Sequence, residues 1–292
     1  MSHRVQIGLM LAPYLAGLAM LVLLPGIAGL GLAFTEYSAL APPSFAGLAN
    51  FRELLSDDIF HIAVANSLFY IILAIPLRLL GALLTARLLL RPRRGAGTLR
   101  AAIYLPTVVP DMAWALIWLW ILNPLYGPLN QTLAFAGIAG PAWMLDPVWA
   151  RLAIVLMMSW QIGEGFVVCL ASLQHVPRDL LDQAAVDGSS AWATFRTVTL
   201  PSIAPALLFL LFRDTIFSFQ ANFVPALIVG RGGGPDFATT YLPMYIYTTA
   251  FGYLRFGYAA ALSCVMYAIT ALVLWLQFRA ASRWGAGVFH AD

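Results

Sequence analysis

Lysine is absent from this chain of 292 residues, and charge of either sign is scarce. All 16 basic residues are arginine, 13 residues are acidic, and charged residues make up 10% of the total. A soluble globular domain carries roughly 25% charged residues. With 61% hydrophobic residues and a mean hydropathy of +0.83, the chain falls outside that class and reads as a polytopic membrane protein. No polar stretch is long enough to bury a core of its own, so one integral membrane domain over residues 1–292 is expected. The formal charge of +3 comes from scattered arginines and does not signal nucleic-acid binding. Cysteine is also sparse. Cys169 and Cys264 both lie inside apolar segments, where they read as small hydrophobes, and neither spacing suggests a metal site or a disulfide. The four histidines, His3, His61, His175 and His290, form no H-E-x-x-H pattern, and no G-x-S-x-G is present. A membrane-embedded enzyme of either kind is therefore disfavoured.

Long hydrophobic runs are what the sequence does contain. A helix needs about 20 apolar residues to span a bilayer. Six segments qualify, at about 7–34, 62–85, 101–122, 148–172, 203–229 and 257–278. The first exceeds the roughly 7–15 residue core of a signal peptide and is expected to stay as a spanning helix. No internal repeat and no broken helix of the secondary-transporter kind is visible at this level.

Arginine position sets the expected orientation. Arg87, Arg91, Arg93, Arg94 and Arg100 follow the second segment, and Arg178 and Arg196 follow the fourth. Arg4 precedes the first, and Arg279 and Arg283 close the last. The opposite connections are acidic or nearly neutral: Arg52 stands against Glu36, Glu53, Asp57 and Asp58. Both termini are thus expected in the cytoplasm. Trp114, Trp118, Trp120, Tyr126, Trp143 and Trp149 read as interfacial anchors. The stretches APPS, NPLYGPLN and GRGGGPDF are turn-rich outer loops. The last has neither the lysine nor the strand-to-helix context of a phosphate-binding loop.

One polar insert interrupts the apolar pattern, DLLDQAAVDGSSAWATFRTVTLP, from Asp179 to Pro201. Pro177 suits a helix start. Leu180, Leu181, Ala184 and Ala185 recur at helical spacing. Gly188 can end that helix in a left-handed conformation, and Ser189 or Ser190 can cap a second short helix carrying Trp192, Phe195 and Val198. Pro201 is then expected to open the fifth span. From these features alone, an amphipathic connector lying in the membrane surface is the favoured reading.

The spacing changes that balance. The membrane subunits of bacterial ABC importers carry a cytoplasmic EAA loop, with the pattern E-A-A, three residues, G, nine residues, I-x-L-P. Here Asp182, Gln183 and Ala184 occupy the first three places, Gly188 the glycine, and Val198-Thr199-Leu200-Pro201 the tail. Every gap matches. Asp182 replaces Glu, Gln183 replaces the first Ala, and Asp187 before the glycine resembles the family's frequent DG. FAGLANFRELLSDDIF, LPTVVPDMAWALIWLWILNPLYGPLN, WQIGEGFVVCLASLQHVPRDL and GGGPDFATTYLPMYIYTTAFGYLRFGYAAALS resemble further parts of the carbohydrate permeases of the maltose and glycerol-3-phosphate type.

The resemblance implies an all-α integral membrane protein with six transmembrane helices, the type I ABC importer permease fold, and a cytoplasmic coupling helix within residues 177–201. It implies a non-catalytic subunit of the bacterial inner membrane that pairs with a second permease. Two ATPase subunits, which bind the ATP and Mg that this chain does not, sit beneath it, and an extracytoplasmic solute-binding protein delivers the cargo. Asp182, Gln183, Ala184, Asp187, Gly188, Leu200 and Pro201 would form the dock for one ATPase, with Trp192 and Phe195 as aromatic anchors. The implied cargo is a sugar or sugar-like solute, with glycerol-3-phosphate or a related phosphorylated solute as the alternative. A stand-alone secondary transporter, the different-class alternative, needs no such dock.

Ionisable groups inside spans are functional candidates because each is costly in lipid. Arg78, Asp111, Glu164, Arg213 and Asp214 are the ones here. They can form interhelical ion pairs or line a polar path. The resemblance places a candidate substrate path at Gln161, Glu164, Asp214, Phe217, Phe219, Gln220 and Asn222, with amides and carboxylates for hydroxyls and aromatic faces for sugar rings. Arg213 could instead favour an anionic head group.

Overall fold

The computed structural model describes residues 3–91, 93–221 and 223–285. Helix dominates them. Four helices are long and apolar enough to cross a membrane: Val5–Leu32, Asp58–Leu88, Ala191–Ile228 and Phe256–Ser282. Two further pairs qualify together, Ala96–Val108 with Asp111–Ile121 and Pro147–Ser159 with Gly163–Gln174. Counting each pair as one span gives six.

The bent pairs correct the expectation of unbroken third and fourth spans. The first pair turns by 103° and the second by 47°. In the first, Pro110 has no N–H to donate, and its ring bars Val109 from the helical region. Val109 is accordingly extended, with φ −70° and ψ 128°. Hydropathy runs straight through this proline, so composition alone hides the turn. In the second pair the break falls at Trp160, Gln161 and Ile162, and no proline marks it. Asp146 caps the start of Pro147–Ser159 by accepting from the N–H groups of Val148 and Trp149.

The chain divides into two compact units, residues 1–60 with 245–268, and residues 61–244 with 269–292. In the first unit the Val5–Leu32 helix buries none of its apolar window, which leaves that surface for lipid or another chain. A two-residue antiparallel pairing, Thr35–Glu36 with Ser44–Phe45, closes the loop behind it. Asn50 is buried and donates to the carbonyls of Ala33 and Thr35. Asp57 is the hub of this unit. Its carboxylate accepts from the N–H groups of Ile59 and Phe60, capping the helix that begins at Asp58, and also from the hydroxyls of Tyr245 and Tyr258. Beside it Arg255 makes a two-pronged contact with Glu53, at 2.8 and 2.6 Å.

In the second unit the buried core joins the second, fourth and fifth spans through Ala82, Ala86, Phe166, Leu173, Ile203 and Leu210. Trp114, Trp118 and Trp143 are also buried, which corrects their assignment as interfacial anchors. Trp114 and Trp118 pack edge to face, and the Trp143 indole donates to Asn130. Tryptophan has an apolar body and one donor: a partner for that donor suits Trp143 to the core, and ring packing holds Trp114 and Trp118 there. Trp120, Tyr126 and Trp149 remain exposed. The glycine-rich stretch from Gly230 is tied down by Asn66, which donates to the carbonyls of Phe237 and Thr240.

Burial opposes ionisation of Asp57, but the two tyrosine hydroxyls and two backbone N–H groups outweigh it and hold the carboxyl below its ordinary value of 3.8. A lowered folded pKa adds stability that is complete above the ordinary value and lost as pH falls through the lowered one. The thermal midpoint of the purified protein should therefore fall as pH drops below about 4. Asp57→Asn should lower the midpoint at neutral pH and flatten this acid dependence.

Candidate functional site

The insert between the fourth and fifth spans forms a helix, a turn and a second helix. Arg178–Val186 is the first helix, with Pro177 extended just before it. Gly188 follows at φ +71°, the left-handed conformation that favours glycine. Ser190 is the cap of the next segment: its hydroxyl accepts from the N–H of Ala193. That segment does not stop before the membrane. It passes from Ala191–Thr194 through a wider turn at Phe195–Thr199 into Leu200–Ala221. The expectation that Pro201 opens a separate span is thus corrected. The wider turn takes the Leu200 N–H to the carbonyl of Phe195, one residue farther back than in an α-helix. Such a turn accommodates a local fault without ending the helix, and Pro201 sits only one residue beyond it.

Burial divides the insert into two faces. Ala184 is buried, while Leu181 and Val198 pack on the core cluster beside Val176. Asp182, Gln183, Asp187 and Gly188 are exposed. Trp192 is 68% exposed and stacks on half-buried Phe195 at 5.7 Å. The guanidinium of Arg87 lies over the other partner's ring, 4.4 Å from the Phe195 centroid. Leu200 and Pro201 are half-buried at the membrane end. The insert is therefore fixed on its inner side and presents acidic, amide and aromatic groups outward.

The intramembrane charges assemble around Arg78. Its guanidinium lies 3.8 Å from the carboxylate of Asp214 and donates to the carbonyl of Gln161 at 3.3 Å. That carbonyl sits in the break of the fourth span, where the helix leaves it without an internal partner. Arg213 pairs with Glu164 and stands 3.7 Å from Asp214. Two cations and two anions thus form one chain across three spans, with no uncompensated charge. Thr215, Ser218 and Phe219 are buried on the Asp214 side of the fifth span. Arg213, Phe217 and Gln220 share another face at helical spacing, and Phe217 and Gln220 are exposed there. Glu164 is also exposed, and Gln161 is half-buried. Asn222, part of the expected path, lies outside the described residues. Asp111 is exposed in the first turn after the third-span break and joins no part of this chain of charges.

Glycine brings the fourth span close to its neighbour. A Cβ on Gly163 would press on the Thr107 side chain and on the backbone at Tyr104. The sequence does not reveal this contact, nor the pairing of Asp57 with Tyr245 and Tyr258, because both join residues far apart in the chain. Asn66 was legible only as a polar residue within an apolar run.

The two carboxylates of the charge chain differ in solvent access. The side chain of Asp214 is 6% exposed and that of Glu164 is 47% exposed. Removing one partner of a buried pair costs about 3–5 kcal/mol, whereas an exposed pair is worth about 0–1 kcal/mol. Asp214→Asn should sharply lower the thermal midpoint of the purified protein, and Glu164→Gln should leave it nearly unchanged.

Comparison with known proteins agrees with this architecture. Residues 78–285 match the family model described as binding-protein-dependent transport system inner membrane component. The chain is 31% identical to the lactose transport system permease protein LacF of Rhizobium radiobacter, over 94% of this chain and 93% of that one. It is 33% identical to the sn-glycerol-3-phosphate transport system permease protein UgpA of Agrobacterium fabrum, over 81% of this chain and 80% of that one. Among solved structures, it is similar to a chain in the crystal structure of a bacterial alginate ABC transporter in complex with alginate pentasaccharide-bound periplasmic protein. The TM-score there is 0.80 at 22% identity, covering 95% and 94% of the two chains. The chain belongs to the family of inner-membrane components of binding-protein-dependent transport systems, and is a non-catalytic, multi-pass permease subunit of an ABC importer.

Proposed function

We propose that residues 1–292 form a single permease domain that carries a sugar or sugar-like solute, and that Asp179 to Pro201 couples it to a cytoplasmic ATPase. The observation that carries the coupling reading is the two-faced insert. Its inner side packs on the core through Leu181 and Val198, and its outer side presents Asp182, Gln183, Asp187 and Trp192. A lipid-surface connector would turn its apolar face to the bilayer, whereas here the outward face mixes carboxylates and an amide with the exposed Trp192. Packed contacts resist compression, so a docked helix of this kind transmits a rigid-body shift.

The same reading places a second, similar permease beside this chain, two ATPase subunits holding ATP and Mg below it, and a solute-binding protein outside. Both termini lie in the cytoplasm. Arg87, at the end of the second span, meets Phe195 of the insert, which supports placing these two arginine-bearing connections on one side. Glu164, Phe217 and Gln220 supply a carboxylate, an aromatic face and an amide on exposed surface, the groups that hold sugar hydroxyls and rings. The lactose permease relative supports this cargo class. The glycerol-3-phosphate permease relative supports the phosphorylated alternative. Arg213 is already paired with Glu164, so an anionic solute would have to displace that carboxylate, and the neutral solute is favoured.

Gly188→Trp tests the coupling assignment. Nothing lies within 4 Å of a Cβ built on Gly188, so the variant strains the turn without a clash inside the chain. It should insert in the membrane normally, yet fail to co-purify with the ATPase or lose solute-stimulated ATP hydrolysis. Retention of both would assign the insert to the membrane surface instead.

A further inference from the structure

An open-sided cavity of about 650 Å³ lies at the arginine-rich end of the second span, lined by Leu84, Arg87, Leu88, Leu90, Arg91 and Arg93. Among the described residues, its lining holds three arginines and no acidic residue. Among the described residues, Arg87, Arg91 and Arg93 enter no ion pair. Leu84 and Leu88 are 52% and 72% exposed and belong to the last turns of a helix apolar enough to cross a bilayer. Three arginines and three leucines therefore share one cavity where an apolar span ends.

A soluble anion would use the arginines and leave the leucines in water. A neutral lipid would cover the leucines and leave three cations unanswered. A phospholipid with net negative charge satisfies both halves. We propose that this cavity binds an anionic phospholipid, with its phosphate on Arg87, Arg91 and Arg93 and an acyl chain along Leu84 and Leu88. Basic residues at the end of a span gain from anionic head groups in this way, and arginine presents a fork of donors that matches phosphate oxygens.

The site has a consequence for the insert, which rests on the coupling reading above. Arg87 also lies over Phe195, whose ring stacks on exposed Trp192. A phosphate that fixes the Arg87 guanidinium thereby steadies the aromatic pair offered to the ATPase. The bound lipid acts as a buttress behind the dock.

The test uses the complex assembled with its partner permease and ATPase subunits. After delipidation in neutral detergent, it is titrated with phosphatidylglycerol or phosphatidylcholine and read by native mass spectrometry. The wild type should retain phosphatidylglycerol selectively, and inorganic phosphate should not displace it. Affinity should fall about fivefold for each arginine lost in Arg91→Gln and in the Arg91→Gln, Arg93→Gln pair. Leu84→Gln should weaken it too, and Arg93→Lys, which keeps the charge, should largely preserve it. Equal retention of the two lipids, or displacement by inorganic phosphate, overturns the proposal. So does an arginine pair variant that keeps its phosphatidylglycerol but sheds the ATPase, because the surface is then a protein interface. Stimulation of ATP hydrolysis by phosphatidylglycerol supports the buttress. Selective binding without any stimulation leaves the lipid site standing and removes only its link to coupling.

Discussion

Arg78 ties together three membrane spans through polar groups that hydrocarbon leaves nothing else to satisfy. Backbone carbonyls and charges within a bilayer must find partners in the protein. The carbonyl of Gln161 is freed by the break in the fourth span, and Arg78 supplies its donor. Arg78 in turn needs a counter-charge, which the fifth span provides at Asp214. Asp214 stands beside Arg213, whose own carboxylate partner, Glu164, lies just past the same break. The bend, the four charges and the packing of these spans are thus one arrangement. Arg78 and Asp214 cannot be altered singly without leaving a buried group unanswered, whereas the exposed Glu164 can.

This arrangement is joined to the insert through a continuous helix. From Ala191 the chain runs without a stop into the span that bears Arg213 and Asp214. The rise of an α-helix puts roughly 30 Å between Trp192 and Arg213. On its inner side the insert is pinned by Leu181 and Val198 against the core that the second and fourth spans share. Movement imposed at the outer face is therefore carried into the membrane by packed side chains and one helix rather than absorbed in a loop. The charge chain lies where that motion would be felt. Its pairs are also of unequal strength, with a shielded Asp214 and an accessible Glu164.

Local chemistry made much of this legible in the sequence. Apolar length marked the spans, Gly188 announced a turn and Ser189 or Ser190 a cap, and the gaps from Asp182 to Pro201 gave the family resemblance. The two bends were less visible for different reasons. Pro110 was plain in the sequence, but the apolar residues around it mask a 103° turn. The break at Trp160 to Ile162 has no proline and depends on a donor from a distant helix. Pro201 misled in the opposite sense, because a single wide turn keeps the helix going. Which charge pairs with which, and how Asp57 gathers Tyr245 and Tyr258, are facts of tertiary packing. No local pattern encodes them.

Chemistry at the outer face of the insert would test the coupling account most directly. A photo-activated cross-linking residue placed at Trp192 in the intact importer, with another at Tyr253, exposed in the connection just before the last span, as a control, would report what each position touches. The account predicts that position 192 captures the ATPase subunit, with a yield that changes on ATP binding, and that position 253 does not. Capture of lipid alone at position 192, in a complex that retains its ATPase, would contradict it.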